Sequence, residues 1–394
     1  MNAALVRLDS IAEVRLGRQR SPKDHEGPHM RPYVRAANVG WEGWKLDDVK
    51  YMNFTDAEMS VYRLRPGDLL LGEASGSATE VGKPAIWDGE IEECAFQNTL
   101  IRVRPREAQP RYLLHYFKFL AGTGKFAARS RGVGINHLGS ETLASWEVPL
   151  PPIEEQRRIA AILDKADELR AKRRAALAHL DSLTQSIFLD MFGDHARFPS
   201  IRVGDLCDVK GGKRLPKDAA YSPASTGFRY LRVVDLRRDG TIDTEGLLHL
   251  PPDIQRRVAR YTVAAGDVVI SIAGSIGLVA AVDASVDGVN LTENAARLCP
   301  KSMGSYSPGY LSAALRSPVM QERIARSTGQ VTIGKLALFR IEDLEVALPP
   351  MSLQLEFESE IRAVAALRAN LGNQTMALES LFVSLQHRAF SGSL

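Results

Sequence analysis

Side chains that hold a metal, attack a carbon or cradle a phosphate have characteristic spacings, and this chain offers four near-matches. "HEGPH" (His25 to His29) fits the letters H-E-x-x-H. That zinc site needs both histidines on one helical face. Gly27 and Pro28 break such a helix, so a polar loop is expected. "GSATEVGKP" (Gly76 to Pro84) approaches a phosphate loop, but five residues separate its glycines and Pro84 stands where a Ser or Thr would hold magnesium. It reads as a Gly/Ser-rich turn. "AGSIG" (Ala273 to Gly277) misses G-x-S-x-G at its first position and has no His/Asp partner pattern, which leaves Ser275 as a loop hydroxyl. "LPPI" and "LPPM" lack both the polar first residue and the aromatic fourth residue of the N/D-P-P-aromatic methyltransferase motif. The eight histidines and the carboxylates form no other metal or acid/base spacing. The expectation is a chain with no catalytic residue, metal or cofactor of its own.

What remains is a set of basic and amide-rich loops. "VRLGRQRSPK" gathers Arg15, Arg18, Arg20 and Lys23, and "VKGGKRLPK" gathers Lys210, Lys213, Arg214 and Lys217. "RSRGVGINH" offers Arg129, Arg131, Asn136 and His137, while "RVVDLRRDG" offers Arg232, Asp235, Arg237 and Arg238. Arg and Lys neutralise phosphates, and Arg, Asn and Gln can read base edges with two hydrogen bonds. A charge run is usually only a solvated face. Recurrence at equivalent places in two halves argues for DNA contact.

Those halves are visible as an internal repeat. "PRYLLHYF" (Pro110 to Phe117) matches "PGYLSAAL" (Pro308 to Leu315), with Tyr112 over Tyr310. "VRLDSIAEVRLGR" matches "IRVGDLCDVKGGK", "YVRAANV" matches "YLRVVDL", and "RPGDLLL" matches "AAGDVVI", all in the same order. Each half begins with short β-branched runs bounded by Gly, Pro and Asp, which read as strands and turns. Each ends with a proline gate and a long helix. "PLPPIEEQRRIAAILDKADELRAKRRAALAHLDSL" starts at Pro149, and "ALPPMSLQLEFESEIRAVAALRANLGNQTMALESL" starts at Ala347. Pro is accepted just before a helix or in its first turn, and Glu154 and Glu155 suit the positive end of the dipole. One apolar seam is expected through Ile159, Ile162, Ala166, Leu169, Ala176, Leu180, Leu183 and Ile187, with Arg173 interrupting it. The other runs through Phe357, Ile361, Val364, Leu367, Leu371, Leu378, Phe382 and Leu385. Packed on each other, the helices would make a rod of ~60 Å.

Composition sets the class. The chain has 394 residues, 45% apolar and 25% charged, with a net charge of +3. That is a soluble globular protein of several domains. No apolar run is long enough for a membrane span, and the N-terminus lacks the apolar core of a secretory signal. Cys94, Cys207 and Cys299 are scattered and odd in number, against a disulfide framework. A cytoplasmic location is expected.

The chain resembles the specificity subunits of Type I restriction–modification systems along its whole length. "PLPPIEEQRRIAAILDKAD" is similar to their central helix, "VALPPMSLQLEFESEI" resembles its degenerate second copy, and "LQHRAFSGSL" resembles their ending. "RPYVRAANV…GWKLDDVKYM" and "RPGDLLLGEASGS…GKPAI" resemble pieces of target-recognition domains. The second copy keeps only Gln354 of the E-Q-R-R-I run, which bears on whether both helices hold a partner equally. The resemblance implies an α+β chain with an internal pseudo-two-fold repeat. Two mixed α/β target-recognition domains (1–150 and 194–348) are separated by a long antiparallel two-helix coiled-coil spacer (151–193 and 349–394). It implies a non-catalytic subunit that reads a bipartite, asymmetric double-stranded DNA target. Two methyltransferase subunits, and restriction subunits where present, would dock on it and carry S-adenosylmethionine, ATP and Mg.

On this reading the DNA contacts are loop residues. In the first half they are Arg18, Arg20, Lys23, Arg35, Asn38, Lys83, Gln97, Asn98, Arg131, Asn136 and His137. In the second they are Lys213, Arg214, Lys217, Arg232, Asp235, Arg237, Arg238, Glu293, Asn294, Gln330, Thr332 and Lys335. Glu155, Gln156, Arg157 and Arg158 are the expected partner surface. The rival reading is a duplicated coiled-coil adaptor that binds only proteins, and a third is a nucleotide-using enzyme built on "GSATEVGKP".

Overall fold

The run Leu69-Leu70-Leu71 is buried along its whole length, so its strand must be covered on both faces. The structure, a computed structural model, describes residues 4–129, 135–194, 197–302, 304–327 and 334–391. Strand Asp68–Gly72 lies inside an antiparallel sheet ordered Ala12–Leu16, Leu100–Pro105, Asp68–Gly72, Pro84–Trp87. Alternate residues serve opposite faces. Leu69, Leu71, Ile101 and Val103 join the core of helix Pro110–Gly122 through Tyr112, Leu113 and Phe117. Leu70 and Leu100 join Val34, Trp87 and Phe96 in a separate cluster. There Met30–Val34 pairs in parallel with Ala95–Phe96 and antiparallel with Lys50–Asn53.

The second half builds the same pieces. Its four-stranded sheet runs Cys207–Gly211, Ala295–Pro300, Val268–Ser271, Val279–Ala281, and Arg229–Leu231 pairs in parallel with Asn290–Leu291. The duplication extends to a backbone crossing. Arg18 N–H donates to the Phe96 carbonyl, and Lys213 N–H to that of Leu291. Each crossing needs a glycine just before it. A Cβ on Gly17 would lie 2.2 Å from the Gln97 carbonyl oxygen, and one on Gly212 would lie 2.1 Å from that of Thr292. Gly212→Ala is therefore expected to cost about 1–3 kcal/mol through backbone displacement. A urea midpoint equal to the parent's would remove the crossing from the account.

Contacts divide the chain into unit 1 (Met1–Arg173 and Gln374–Leu394) and unit 2 (Arg174–Asn373). Both boundaries fall inside helices of 40 residues, Ile153–Phe192 and Met351–Phe390. In unit 1, Ile159, Ala160, Leu163 and Ala166 of the first helix share a core with Phe382 and Ala389 of the second. In unit 2, Phe188 and Phe192 of the first share a cluster with Phe357 of the second. Each globular region thus holds the start of the helix that follows it and the end of the other helix.

The apolar seams differ from the expected stripes. Leu163 is fully buried, whereas Leu169, Leu183 and Leu367 are exposed. The start of the first helix packs on its own globular region as well as on the second helix, which widens the buried face. Arg170 places a charged group on the buried face. Arg170 donates to Asp167 and Glu379, and its guanidinium lies 4.0 Å from the Phe382 ring centre. Among the described residues, no helix is long and apolar enough to cross a membrane.

Candidate nucleic-acid interface

Where two parallel strands end side by side, the segments that follow them splay apart. In unit 2 those segments are residues 232–234 and 292–294, and with Arg214, Leu215, Tyr221 and Tyr230 they line a cleft of about 410 Å³. The turn is braced from within. Asp235 is buried and accepts hydrogen bonds from the Arg232 backbone N–H (2.8 Å) and from its guanidinium (3.0 and 2.7 Å). That bonding holds the Arg232 guanidinium above its ordinary pKa. The tight turn pushes Val234 outward, to 76% exposure. Arg214 crosses the cleft mouth and donates to Glu293 at 2.7 Å. Tyr221 is half exposed, 6.1 Å from the ring of Tyr230. Burial pushes the Tyr230 hydroxyl up to about 12, so it stays a neutral donor, here to the Lys213 carbonyl. The cleft combines an exposed cation, amide and carboxylate groups, an aromatic wall and an apolar tip. Such a set suits base edges and thymine methyls.

Unit 1 forms the same turn with a different filling. Asn38 replaces Asp235, is equally buried, and accepts from Arg35 N–H while donating to the carbonyls of Lys45 and Asp48. Asn38 and Asp235 are therefore braces of the turn rather than groups that face outward. Arg18 is also turned inward. It bonds Glu58 at 2.6 Å, pairs with Asp24 at 3.2 Å, and stacks 5.0 Å from the Phe54 ring centre. Arg35 pairs with Asp48, Lys83 with Glu80, and His137 sits 3.2 Å from Glu73. Gln97 and Asn98 are half-buried beside the turn, and Asn136 pairs in a short strand with Ser75. Arg20 and Lys23 are exposed.

In unit 2, Lys213, Lys217, Arg238 and Lys335 are exposed, and Arg237 pairs with Asp243 at 2.5 Å. Arg131, Gln330 and Thr332 lie outside the described residues. The structure thus brings Arg214, Arg232, Glu293 and Asn294 to one cleft, and adds Tyr221 and Val234, which spacing alone does not single out. The only sequence signal for Tyr221 is an aromatic in the polar stretch "DAAYSPASTG".

The expected partner surface splits. Glu155 pairs with Arg158, and Glu154 with Arg157, on the helix exterior. Gln156 is instead buried. Its Oε1 accepts from Gln109 N–H (2.9 Å) and its Nε2 donates to the Pro151 carbonyl (2.8 Å). It ties the proline gate to the preceding helix and cannot face a partner. Among the described residues, no cluster of His, Cys, Asp and Glu could hold a metal ion. His25 to His29 run through bends and turns, not a helix. Of the two glycines of "GSATEVGKP", Gly82 serves packing, since a Cβ on it would lie 2.3 Å from the Phe126 ring, whereas Gly76 stands in open space.

Comparison with known proteins points the same way. The family model "Type I restriction modification DNA specificity domain" matches residues 2–179 and again 198–357. The chain is similar to the Type I restriction enzyme EcoBI specificity subunit of Escherichia coli, 25% identical over 373 residues, covering 84% of this chain and 75% of that one. The EcoKI specificity subunit of Escherichia coli K12 is 26% identical over 189 residues, 46% of this chain and 40% of that one. In fold, the chain resembles one from a structural study of complex assembly in the type I R-M system, with a TM-score of 0.63 at 19% identity, covering 100% of this chain and 98% of that one. It also resembles the S subunit of the system from M. genitalium, with a TM-score of 0.56 at 14% identity, covering 99% and 96%.

Proposed function

The chain belongs to the Type I restriction–modification DNA specificity family, and from that premise we propose how its two repeats divide the work. As a specificity subunit it reads DNA. Each globular region reads one half of a split, asymmetric target, and the long helices, packed antiparallel as a coiled-coil spacer, set the unread gap. The exposed faces around Glu155, Arg157 and Arg158 dock two methyltransferase subunits, and restriction subunits where the system has them. Those partners carry S-adenosylmethionine, ATP and Mg, while this chain works in the cytoplasm without catalysis or cofactor. The observation that carries the reading is the braced turn at Arg35–Asn38 and again at Arg232–Asp235, one scaffold surrounded by different side chains. Two unlike readers on one scaffold suit two unlike half-sites.

The test is selection of bound DNA from a random pool at physiological salt, with the neighbouring methyltransferase subunit co-expressed. Two different short blocks with a constant gap are expected. Random recovered sequence would return the chain to the adaptor reading. A sharper expectation follows for the cleft. Arg214→Ala with Asn294→Ala should relax one block of the recovered motif, by about 1–3 kcal/mol per lost base contact, and leave the other block intact. Loss spread evenly over both blocks would mean these residues touch only phosphates.

A further inference from the structure

Unit 1 carries a second basic feature, away from the braced turn. Arg15, Arg65, Arg102, Arg104 and Arg106 line a cavity of about 380 Å³ together with Glu13, Ser60 and Val61. Glu13 serves two of the guanidiniums, accepting from Arg15 at 2.9 Å and from Arg102 at 2.8 Å. Asp68 takes Arg104 with two bonds of 2.7 Å. Five cations against two carboxylates leave the cavity strongly positive. At its wall is Arg102, 1% exposed, with its ring-facing side 5.2 Å from Phe96 and its Nε buried without a hydrogen-bond partner. Burial, then the charge of Arg104, pulls the Arg102 guanidinium below its ordinary pKa. Arg102 also donates to the Val61 carbonyl at 2.9 Å, so its guanidinium is paired except at Nε, and it is the surplus of cations over carboxylates around it that an added anion would offset.

The fold does not require this arrangement. In the second repeat the register places Asp208 opposite Cys299 where the first has Glu13 opposite Arg104. Ala264 stands where the repeat alignment has Arg65. The same sheet forms there with two fewer cations, since Lys210, Arg297 and Lys301 stand where the first repeat has Arg15, Arg102 and Arg106. The cavity is also separate from the reading turn: Arg104 lies toward the far end of strand Leu100–Pro105, four residues or ~13 Å beyond Leu100 at the usual rise.

We infer that this cavity binds a phosphate group, held by the planar forks of its arginines. Guanidinium forks match phosphate oxygens two at a time. The phosphate comes from the backbone of DNA lying on unit 1 or from free phosphate. The first source rests on the function proposed above; the cavity chemistry does not.

The experiment uses the full chain and the double variant Arg65→Ala/Arg106→Ala, two exposed rim positions, with Arg102→Met as a second variant. Unchanged circular dichroism confirms folding. One arm measures melting in inorganic phosphate against chloride at equal ionic strength. The other measures affinity for a random duplex from 50 to 200 mM salt. With DNA as the source, the rim variant should lower the log–log salt slope by ~0.9 per lost phosphate, roughly a 3- to 4-fold smaller fall in affinity over that range. With free phosphate as the source, phosphate should raise the melting temperature of the parent and not of the variants, with the DNA slope unchanged. A parent indifferent to phosphate, together with a variant of parental slope, overturns the inference. In that case a persisting bipartite motif would leave the DNA reading intact.

Discussion

Phe192→Ala is expected to cost about 3–5 kcal/mol and to do so in unit 2 alone. Phe192 is 1% exposed and closes the first long helix. Its ring meets Tyr310 at 4.9 Å, Phe188 at 5.4 Å, Phe357 at 5.5 Å and Phe198 at 6.1 Å, mostly edge to face. Truncation loses the transfer free energy and those ring contacts and leaves a hole that four stiff aromatics cannot close. The repeat supplies a control. Phe390 closes the second helix and meets Tyr112, Tyr116 and Phe119 at 5.8, 5.2 and 5.4 Å in unit 1. It is only half-buried, so Phe390→Ala should cost less. The units can be followed separately, because Trp41, Trp44, Trp87 and Trp146 all belong to unit 1. Phe192→Ala should lower the urea midpoint seen by far-UV circular dichroism and leave the tryptophan transition in place. Equal shifts in both signals would show that Phe192 stabilises more than the unit that holds its contacts.

The repeat, the proline gates and the long helices are legible in sequence because each rests on a local rule. Prolines stop and start helices, and collinear matches survive drift in the loops. The apolar seam is less legible, since periodicity finds a stripe but not how many neighbours share it. Ile159 and Leu163 are buried by two partners at once, and no window of one helix contains both partners. The contact residues are least legible. Asn38, Asp235 and Arg18 have the right chemistry for DNA, yet their hydrogen bonds are spent inside the protein. An Asn or Asp three residues after an Arg can brace a turn or read a base, and only the fold decides. The converse error concerns Arg102 and Arg104. In "TLIRVRP" they look like the polar face of an ordinary strand, and Arg15 and Arg65 of their cavity come from segments far away in sequence.

Gln354→Glu should fold almost as well as the parent near pH 4 and lose on the order of 3 kcal/mol by pH 7. Gln354 is 1% exposed. Its Oε1 accepts from Ser307 N–H at 2.8 Å and its Nε2 donates to the Pro349 carbonyl at 2.8 Å. A glutamate keeps the acceptor, but it can donate to Pro349 only while protonated. Ionised, it would press an oxygen on a carbonyl, without water, beside the Glu358 carboxylate that already accepts from Ser307 Oγ. Burial and Glu358 would therefore raise the folded pKa of the new carboxyl above its unfolded value of about 4.3. Below about pH 4 both states are protonated and the variant resembles the parent. As pH rises, the unfolded state ionises first, and stability falls by about 1.4 kcal/mol per pH unit until the folded pKa is reached. Gln354→Ala leaves Ser307 N–H unsatisfied and should cost about 1–3 kcal/mol at either pH. The measurement is the gap in urea midpoint between parent and variant at pH 4.5 and 7.5. A gap that stays constant for the glutamate would dismiss the donor role. The same two bonds recur at Gln156, and this explains why glutamine alone survives of the E-Q-R-R-I run in the second copy. The charged neighbours point to solvent and can drift, whereas the clamp needs a donor and an acceptor on one neutral side chain of fixed length.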